Sequence, residues 1–342
     1  MSNFPPSGEI PRGAIRFNTD SNKPELWDGS QWAEFQLSTP NLGQGSDTQP
    51  GPRGIFLGGH VSSPAPAAVD TIDYINISST GDAIDFGDMS SARAGLNSGS
   101  LSSSTRGIRT GGDGLNNEIK FVTIASTGDE QDFGDLDSNR RQMSSISSQT
   151  RGVFGGGTPT NQNQLEYITI ASTGNSVDFG NLSVNRDAAT GLSSPTRGLF
   201  ACGLNSPANT LSIDFITTAT LGNTQDFGDM TVARHVPSGV SNATRGLVGG
   251  GLTPSVTDRI DYVTLASLGN GADFGNLSAS KRSANGCASP IRGVWGGGVD
   301  ASNRLNAIEY VQIAIQSNVV DFGDLTVARM EHTSFSNAHG GL

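Results

Sequence analysis

The triplet Asp-Phe-Gly occurs six times in this chain of 342 residues, beginning at Asp85, Asp132, Asp178, Asp226, Asp273 and Asp321, in steps of 46 to 48 residues. An aromatic residue keeps the same step at Tyr74, Phe121, Tyr167, Phe215, Tyr262 and Tyr310. An Arg-Gly pair nearly does so, at Arg53, Arg106, Arg151, Arg197, Arg245 and Arg292. Six copies of a unit of about 47 residues exclude most single-core folds, because each copy can bury its apolar face only against its neighbours.

The third copy shows the parts of the unit. "RGVFGGG" reads as a short strand ending in glycines that permit close backbone approach. "LEYITIAS" alternates and is β-branched, as a strand with one buried face is. "STGN" signals a turn, "SVDFGNL" a third strand and "AATGLSS" a fourth before the next Arg-Gly. Composition agrees: 46 glycines and only 15% charged residues suit a turn-rich β protein. The ends of the chain continue the pattern. Arg140, Arg186 and Arg234 each precede the next Arg-Gly by 11 residues, and 11 beyond Arg329 is Gly340, so "HGGL" aligns with "TRGL". The last segment therefore supplies the strand that the first unit lacks. The expected fold is all-β: a six-bladed β-propeller over residues 53–342 closed by pairing of the two chain ends, a linker at 41–52, and a small N-terminal β meander at 1–40.

The unit resembles the kelch repeat, whose blade carries a double glycine after its second strand, followed by spaced aromatics. The glycine pairs here are Gly58-Gly59, Gly111-Gly112, Gly156-Gly157, Gly250-Gly251 and Gly297-Gly298, with Cys202-Gly203 the departure. Phe of the triplet stands where kelch repeats often carry Trp, so the repeat is kelch-like rather than standard.

Asp-Phe-Gly also binds magnesium in protein kinases, but the strand lysine, catalytic-loop Asp and phosphate loop of that machinery are missing, and lysine occurs only at Lys23, Lys120 and Lys281. The six Arg-Gly arginines and six triplet aspartates are expected to be structural, tying strands together through charge-assisted hydrogen bonds. Phe of each triplet is expected in the core. The histidines, His60, His235, His332 and His339, show no metal-ligand spacing. No enzyme, cofactor or metal is expected. Cys202 and Cys287 read as free thiols in packed strands. A net charge of -11 with no basic block argues against nucleic acid, and no apolar run or leader pattern points to a membrane. Binding is expected in the loops after each double glycine, which differ most between copies and carry Asn116, Asn161, Asn163, Asn205, Asn209 and Asn303.

Residues 1–40 lie outside the repeat. "AIRFN", "PELW" and "QWAEF" read as strands joined by turns at "TDSN" and "DGS". The segment resembles a short motif of tail-fibre and other virion structural proteins of tailed bacteriophages, carried here by Arg16, Phe17, Asn18, Trp27, Gly29 and Trp32, with Gly13, Thr19, Lys23, Glu25 and Ser30. The propeller unit, with "YITIASTGN" and "DFGDL", resembles repeats in structural proteins of marine and cyanobacterial phages. These resemblances imply a virion protein assembled in the host cytoplasm and attached to other virion proteins through its N-terminal motif. They further imply a homo-oligomer on the particle that presents its propeller to a host-surface glycan or protein. Two alternatives stand beside this: a spacer or decoration of tail, neck or capsid, and a cellular kelch-like ligand-binding or sugar-processing protein.

Overall fold

A computed structural model describes residues 10–18, 23–34, 51–62, 67–159 and 162–342. The chain divides into two compact units, Met1–Gln49 and Pro50–Leu342. Both are β, and no helix occurs among the described residues. Gly51 and Pro52, expected in the linker, belong to the second unit, where the Pro52 carbonyl accepts the Ile77 N–H at 2.8 Å. The remainder of the expected linker lies outside the described residues.

The second unit forms six large antiparallel sheets that share one strand order, with an extra short strand, His60–Val61, on sheet one and a separate two-stranded sheet, Leu204–Asn205 with Ala208–Asn209. Sheet three is representative: first strand Ser144–Ser147, second Arg151–Gly155, third Gln164–Thr169, fourth Val177–Asn181. The short apolar strand that ends one sequence unit thus opens the following sheet. Sheet one draws its first strand, Thr333–Ser336, from the other end of the chain, paired to Arg53–Leu57. The remaining first strands are Ser100–Ser102, Thr190–Ser193, Ser238–Ser241 and Asn285–Ala288 in sheets two, four, five and six. Each first strand lies against that of the next sheet, and that of sheet one lies against those of sheets six and two.

Glycine of the Arg-Gly pair has a packing reason. A Cβ on Gly152, Gly198, Gly246 or Gly293 would collide with Leu101, Ile146, Leu192 or Val240 from the preceding first strand, and one on Gly54 or Gly107 with Cys287 or Phe335. These side chains are buried knobs that fit only because no methyl occupies the hole. The arginine of the pair lies over the third-strand aromatic, its guanidinium carbon 4.5–5.1 Å from the ring centroid. It also donates to a carbonyl at the end of the next sheet's third strand, as Arg151 does to Thr218 at 3.0 Å and Arg292 to Ile77 at 2.9 Å.

The Asp-Phe-Gly triplet is a joint between sheets. Its Phe is buried in all six copies and meets the third-strand aromatic edge-on at 5.9–6.1 Å. The pairing with the third strand slips there, as between Leu165 and Glu166, which makes the Phe a bulge. Gly134 follows with φ +153°, and a Cβ on it would run into the carbonyl of Gly174 in the next sheet's "STG" turn. Gly174 N–H in turn donates to the Phe133 carbonyl at 2.8 Å. The Asn or Asp after each turn caps the N–H of the residue following the triplet in all six copies, at 3.0–3.1 Å.

The triplet aspartates form the expected ties in two copies, where Asp132 meets Lys120 at 2.9 Å and Asp273 meets Arg259 at 3.5 Å across to the third strand, and all six are exposed. The buried ion pairs join other residues: the cation eight positions after the triplet Asp reaches the third-strand acid of the next sheet. Arg140 pairs with Glu166, Arg186 with Asp214 at 2.9 Å, Arg234 with Asp261 and Arg329 with Asp73 at 2.8 Å, and Lys281 with Glu309 at 2.6 Å. An exposed Asp would gain little from such a pair, whereas a buried guanidinium requires one.

Met1–Gln49 contains the expected meander, Ile15–Asn18, Lys23–Trp27 and Trp32–Glu34. The expected "TDSN" turn lies outside the described residues. Gly29 takes φ +103° in the second turn, which Asp28 closes by accepting from the N–H groups of Ser30 and Gln31 at 2.7 Å.

Candidate functional site

The loops after the double glycines are anchored where the chain enters each first strand. The residue ten positions after each triplet Asp is left-handed: Gly95, Gln142, Ala188, Val236, Ser283 and Glu331, with φ between 47° and 66°. Their backbones form a hydrogen-bond circuit. Gln142 N–H donates to Gly95 O, Ala188 to Gln142, Val236 to Ala188, Ser283 to Val236 and Glu331 to Ser283, and Leu96 N–H donates to Glu331 O, at 2.8–3.2 Å. Five of the six positions hold a residue with a Cβ, for which this conformation is costly, so the circuit must outweigh that cost.

One residue earlier in each copy stand Ala94, Arg141, Asp187, His235, Arg282 and Met330. The last five pair through their backbones with the first residue of a variable loop: Arg141 with Thr158, Asp187 with Leu204, His235 with Leu252, Arg282 with Val299 and Met330 with His60. Sequence reasoning missed this polar group, although the 47-residue period carries it. Arg141 pairs with Asp113 at 2.7 Å. Burial pushes the Asp187 carboxyl up to about 6, against the opposing charge of Arg141. Burial, with Arg282 adding to it, holds His235 below its ordinary value, and its Nδ1 lies 2.8 Å from Asn209 Oδ1. His60 Nδ1 accepts from Arg304 at 2.6 Å.

The candidate loop asparagines divide into two groups. Asn205 and Asn303 are exposed. Asn209 is held inside the scaffold, donating to Leu252 O at 3.0 Å as well as meeting His235. Asn116 lies against Arg93 and Glu118, and the Asn163 carbonyl accepts the Leu182 N–H at 2.7 Å. Asn161 lies outside the described residues.

All six first strands line a cavity of about 70 Å³. Hydroxyls and glycines dominate its wall, among them Ser100, Ser145, Thr190, Gly191, Ser238 and Ser334, with apolar side chains such as Leu101, Ile146 and Phe335 between them. The buried hydroxyls of Ser238 and Ser334 have no protein partner, so this is a polar, uncharged interior suited to water or other neutral hydroxyl groups. The cysteines are both free and buried; Cys287 fills the Gly54 hole, and Cys202 replaces the first glycine of its pair at φ 63°.

In the meander, one face of the sheet gathers most of the motif. Arg16 pairs with Glu25 at 2.6 Å and lies 4.2 Å over the Trp32 ring, Asn18 donates to Glu25 at 2.7 Å, and the Trp27 and Trp32 rings are 5.5 Å apart. Phe17 and Ile15 alternate with Arg16 on the opposite face and are exposed at 61% and 67%. The motif thus contains an aromatic and charged cluster on one side and an apolar pair open to contact on the other. No protein-family model matches the chain and no curated protein matches it.

Proposed function

We propose that the six sheets are blades of one closed, kelch-like propeller and that the chain is a non-enzymatic virion structural protein of a tailed bacteriophage, associated with tail or fibre. Its N-terminal meander anchors it to other virion proteins, and the propeller meets a host-surface glycan or protein through its variable loops. The backbone circuit through six left-handed residues carries the propeller reading, since it returns to its starting sheet after six steps. The chain-end pairing in sheet one and the contacts between successive first strands support it. The virion reading rests on the motif of residues 13–32 and on the contrast between uniform joints and varied loops. Many copies on one particle make weak single contacts sufficient.

A second reading, a spacer without receptor contact, is favoured by one observation: Asn116, Asn163 and Asn209 make bonds inside the scaffold. Antibody labelling of purified particles tests the virion assignment, which fails if no label appears on them. Adsorption in the presence of excess purified protein separates the two readings. Competition supports receptor binding, and unchanged adsorption supports the spacer.

A further inference from the structure

Five of the six first strands end on serine, namely Ser102, Ser147, Ser193, Ser241 and Ser336, and the sixth ends on Ala288. Each hydroxyl holds the backbone of the preceding first strand. Ser147 Oγ accepts from Ser102 N–H at 3.3 Å, Ser193 Oγ from Ser147 N–H at 3.1 Å and Ser241 Oγ from Ser193 N–H at 3.0 Å. Ser336 Oγ donates to Ala288 O at 2.5 Å and Ser102 Oγ to Ser336 O at 2.6 Å. After Ser241 the next residue in this order is Ala288, which has no hydroxyl to offer. There the Ser241 carbonyl accepts the Gly340 N–H at 2.8 Å. Beside it, His339 Nε2 lies 3.0 Å from Ser102 O and 3.1 Å from Ser147 Oγ, and its Nδ1 accepts from Gly341 N–H at 3.0 Å. A carbonyl at one ring nitrogen and an N–H at the other place the single ring proton on Nε2.

We infer that residues 339–341 are a proton-operated bolt across this serine collar: with neutral His339 they tie the Ser241 carbonyl, to which Ala288 offers no hydroxyl, to Ser102 and Ser147, and protonation of the ring releases them. This inference rests on the propeller reading. A second proton, on Nδ1, sets one N–H against another at Gly341 and brings a charge into the cavity. From the first strands Ser102 and Ser147 meet the His339 ring, and of the other first-strand residues that line the cavity only the Cys287 thiol titrates, which burial keeps protonated. No other lining residue carries a charge to offset the imidazolium. Burial already lowers the His339 pKa to about 4, so the bolt is shut at neutral pH and opens in acid.

Hydrogen exchange of the full chain, corrected for the intrinsic pH dependence of exchange, tests this. Protection of the Gly340 and Gly341 amides is expected to fall about tenfold or more between pH 7 and pH 4, while the first strands stay protected. In His339→Gln the pH dependence disappears. In Ala288→Ser the new hydroxyl competes for the Ser241 carbonyl, and protection at Gly340 falls already at pH 7 in a folded protein. Equal protection of wild type at both pH values, or an unchanged pH dependence in His339→Gln, overturns the bolt. Unprotected amides in Arg53–Leu57 and Thr333–Ser336 at pH 7 overturn the propeller closure itself, a result distinct from a free segment 339–341 on intact strands.

Discussion

The joint between sheets one and two differs from the other five. In each regular joint a third-strand carboxylate accepts from the residue five positions after the preceding triplet Asp and pairs with the cation eight positions after it. Asp73, for example, accepts from the Thr326 hydroxyl at 2.7 Å and from Arg329 at 2.8 Å. At the odd joint the third-strand position is Lys120. The carboxylate comes instead from Glu130, which accepts from Ser90 N–H at 2.9 Å and Ser90 Oγ at 2.6 Å, and Ser90 is the counterpart of Thr326. Its cation is Arg109, at 2.5 Å, from a second-strand position that other sheets fill with Phe56, Phe154, Phe200, Val248 and Trp295. Arg93, the regular cation, is partly exposed and 3.5 Å from Glu118. Burial pushes the Glu130 carboxyl up, but its bonds to Arg109 outweigh that and hold it below the usual range. The joint thus preserves a carboxylate at one place in space while changing the residue that supplies it. The reason is electrostatic, since a buried hydrogen-bond socket and a buried cation both require an anion there, whichever strand provides it.

If the two kinds of joint are equivalent, removing the anion costs the same in each. Glu130→Ala and Asp261→Ala should each lose about 3–5 kcal/mol, read from denaturant midpoints. A loss under about 1 kcal/mol for Glu130→Ala alone would break the equivalence. The wiring should also be transferable. Lys120→Glu alone sets a second carboxylate beside Glu130 and destabilises by about 2 kcal/mol or more. Combined with Arg109→Phe and Glu130→Ser it restores the regular pattern, with stability expected within about 1.5 kcal/mol of wild type. A triple variant no better than the single one would show that the odd joint is held by something else.

The regular joint between sheets three and four contributes a pH effect of its own through Asp187. Its carboxyl is raised to about 6 from an ordinary 3.8, so folding favours the protonated form. Stability from this group is therefore gained as pH falls from 6 towards 4. Asp187→Asn should raise the melting temperature at pH 7 and flatten this rise, and an unchanged profile would show that the carboxylate is solvated. His339 has the opposite sign. Its folded pKa of about 4 against 6.5 means stability is lost as pH falls through that interval, so only separate variants resolve the two.

The smallest effect lies in the left-handed circuit, where the odd joint alone carries glycine. Gly95→Ala, at φ 66° and with its Cβ directed at Asp113, should cost about 1–2 kcal/mol. Glu331→Gly, at φ 56°, should gain up to about 1 kcal/mol by thermal melting. Equal signs for the two would show that the circuit does not impose the conformation.

Much of the second unit is legible in one dimension. The period marks six copies, β-branched alternation marks the third strands, and the buried triplet Phe follows from regular spacing, because a repeated unit must repeat its contacts. The strand at the carboxyl end is also readable by counting from Arg329. Local pattern could not say which of two acids in a unit is buried, and the triplet Asp, the more regular one, is exposed. Glycine of the Arg-Gly pair is visible as a repeat, but its reason, a knob from the preceding sheet, is not. The pairing of Arg109 with Glu130, the left-handed circuit and the path of residues 339–341 depend on which backbones meet after the sheets have packed. Periodicity along the chain is set by strand geometry and composition, whereas burial of charge and satisfaction of backbone groups depend on neighbours about 47 residues or more away.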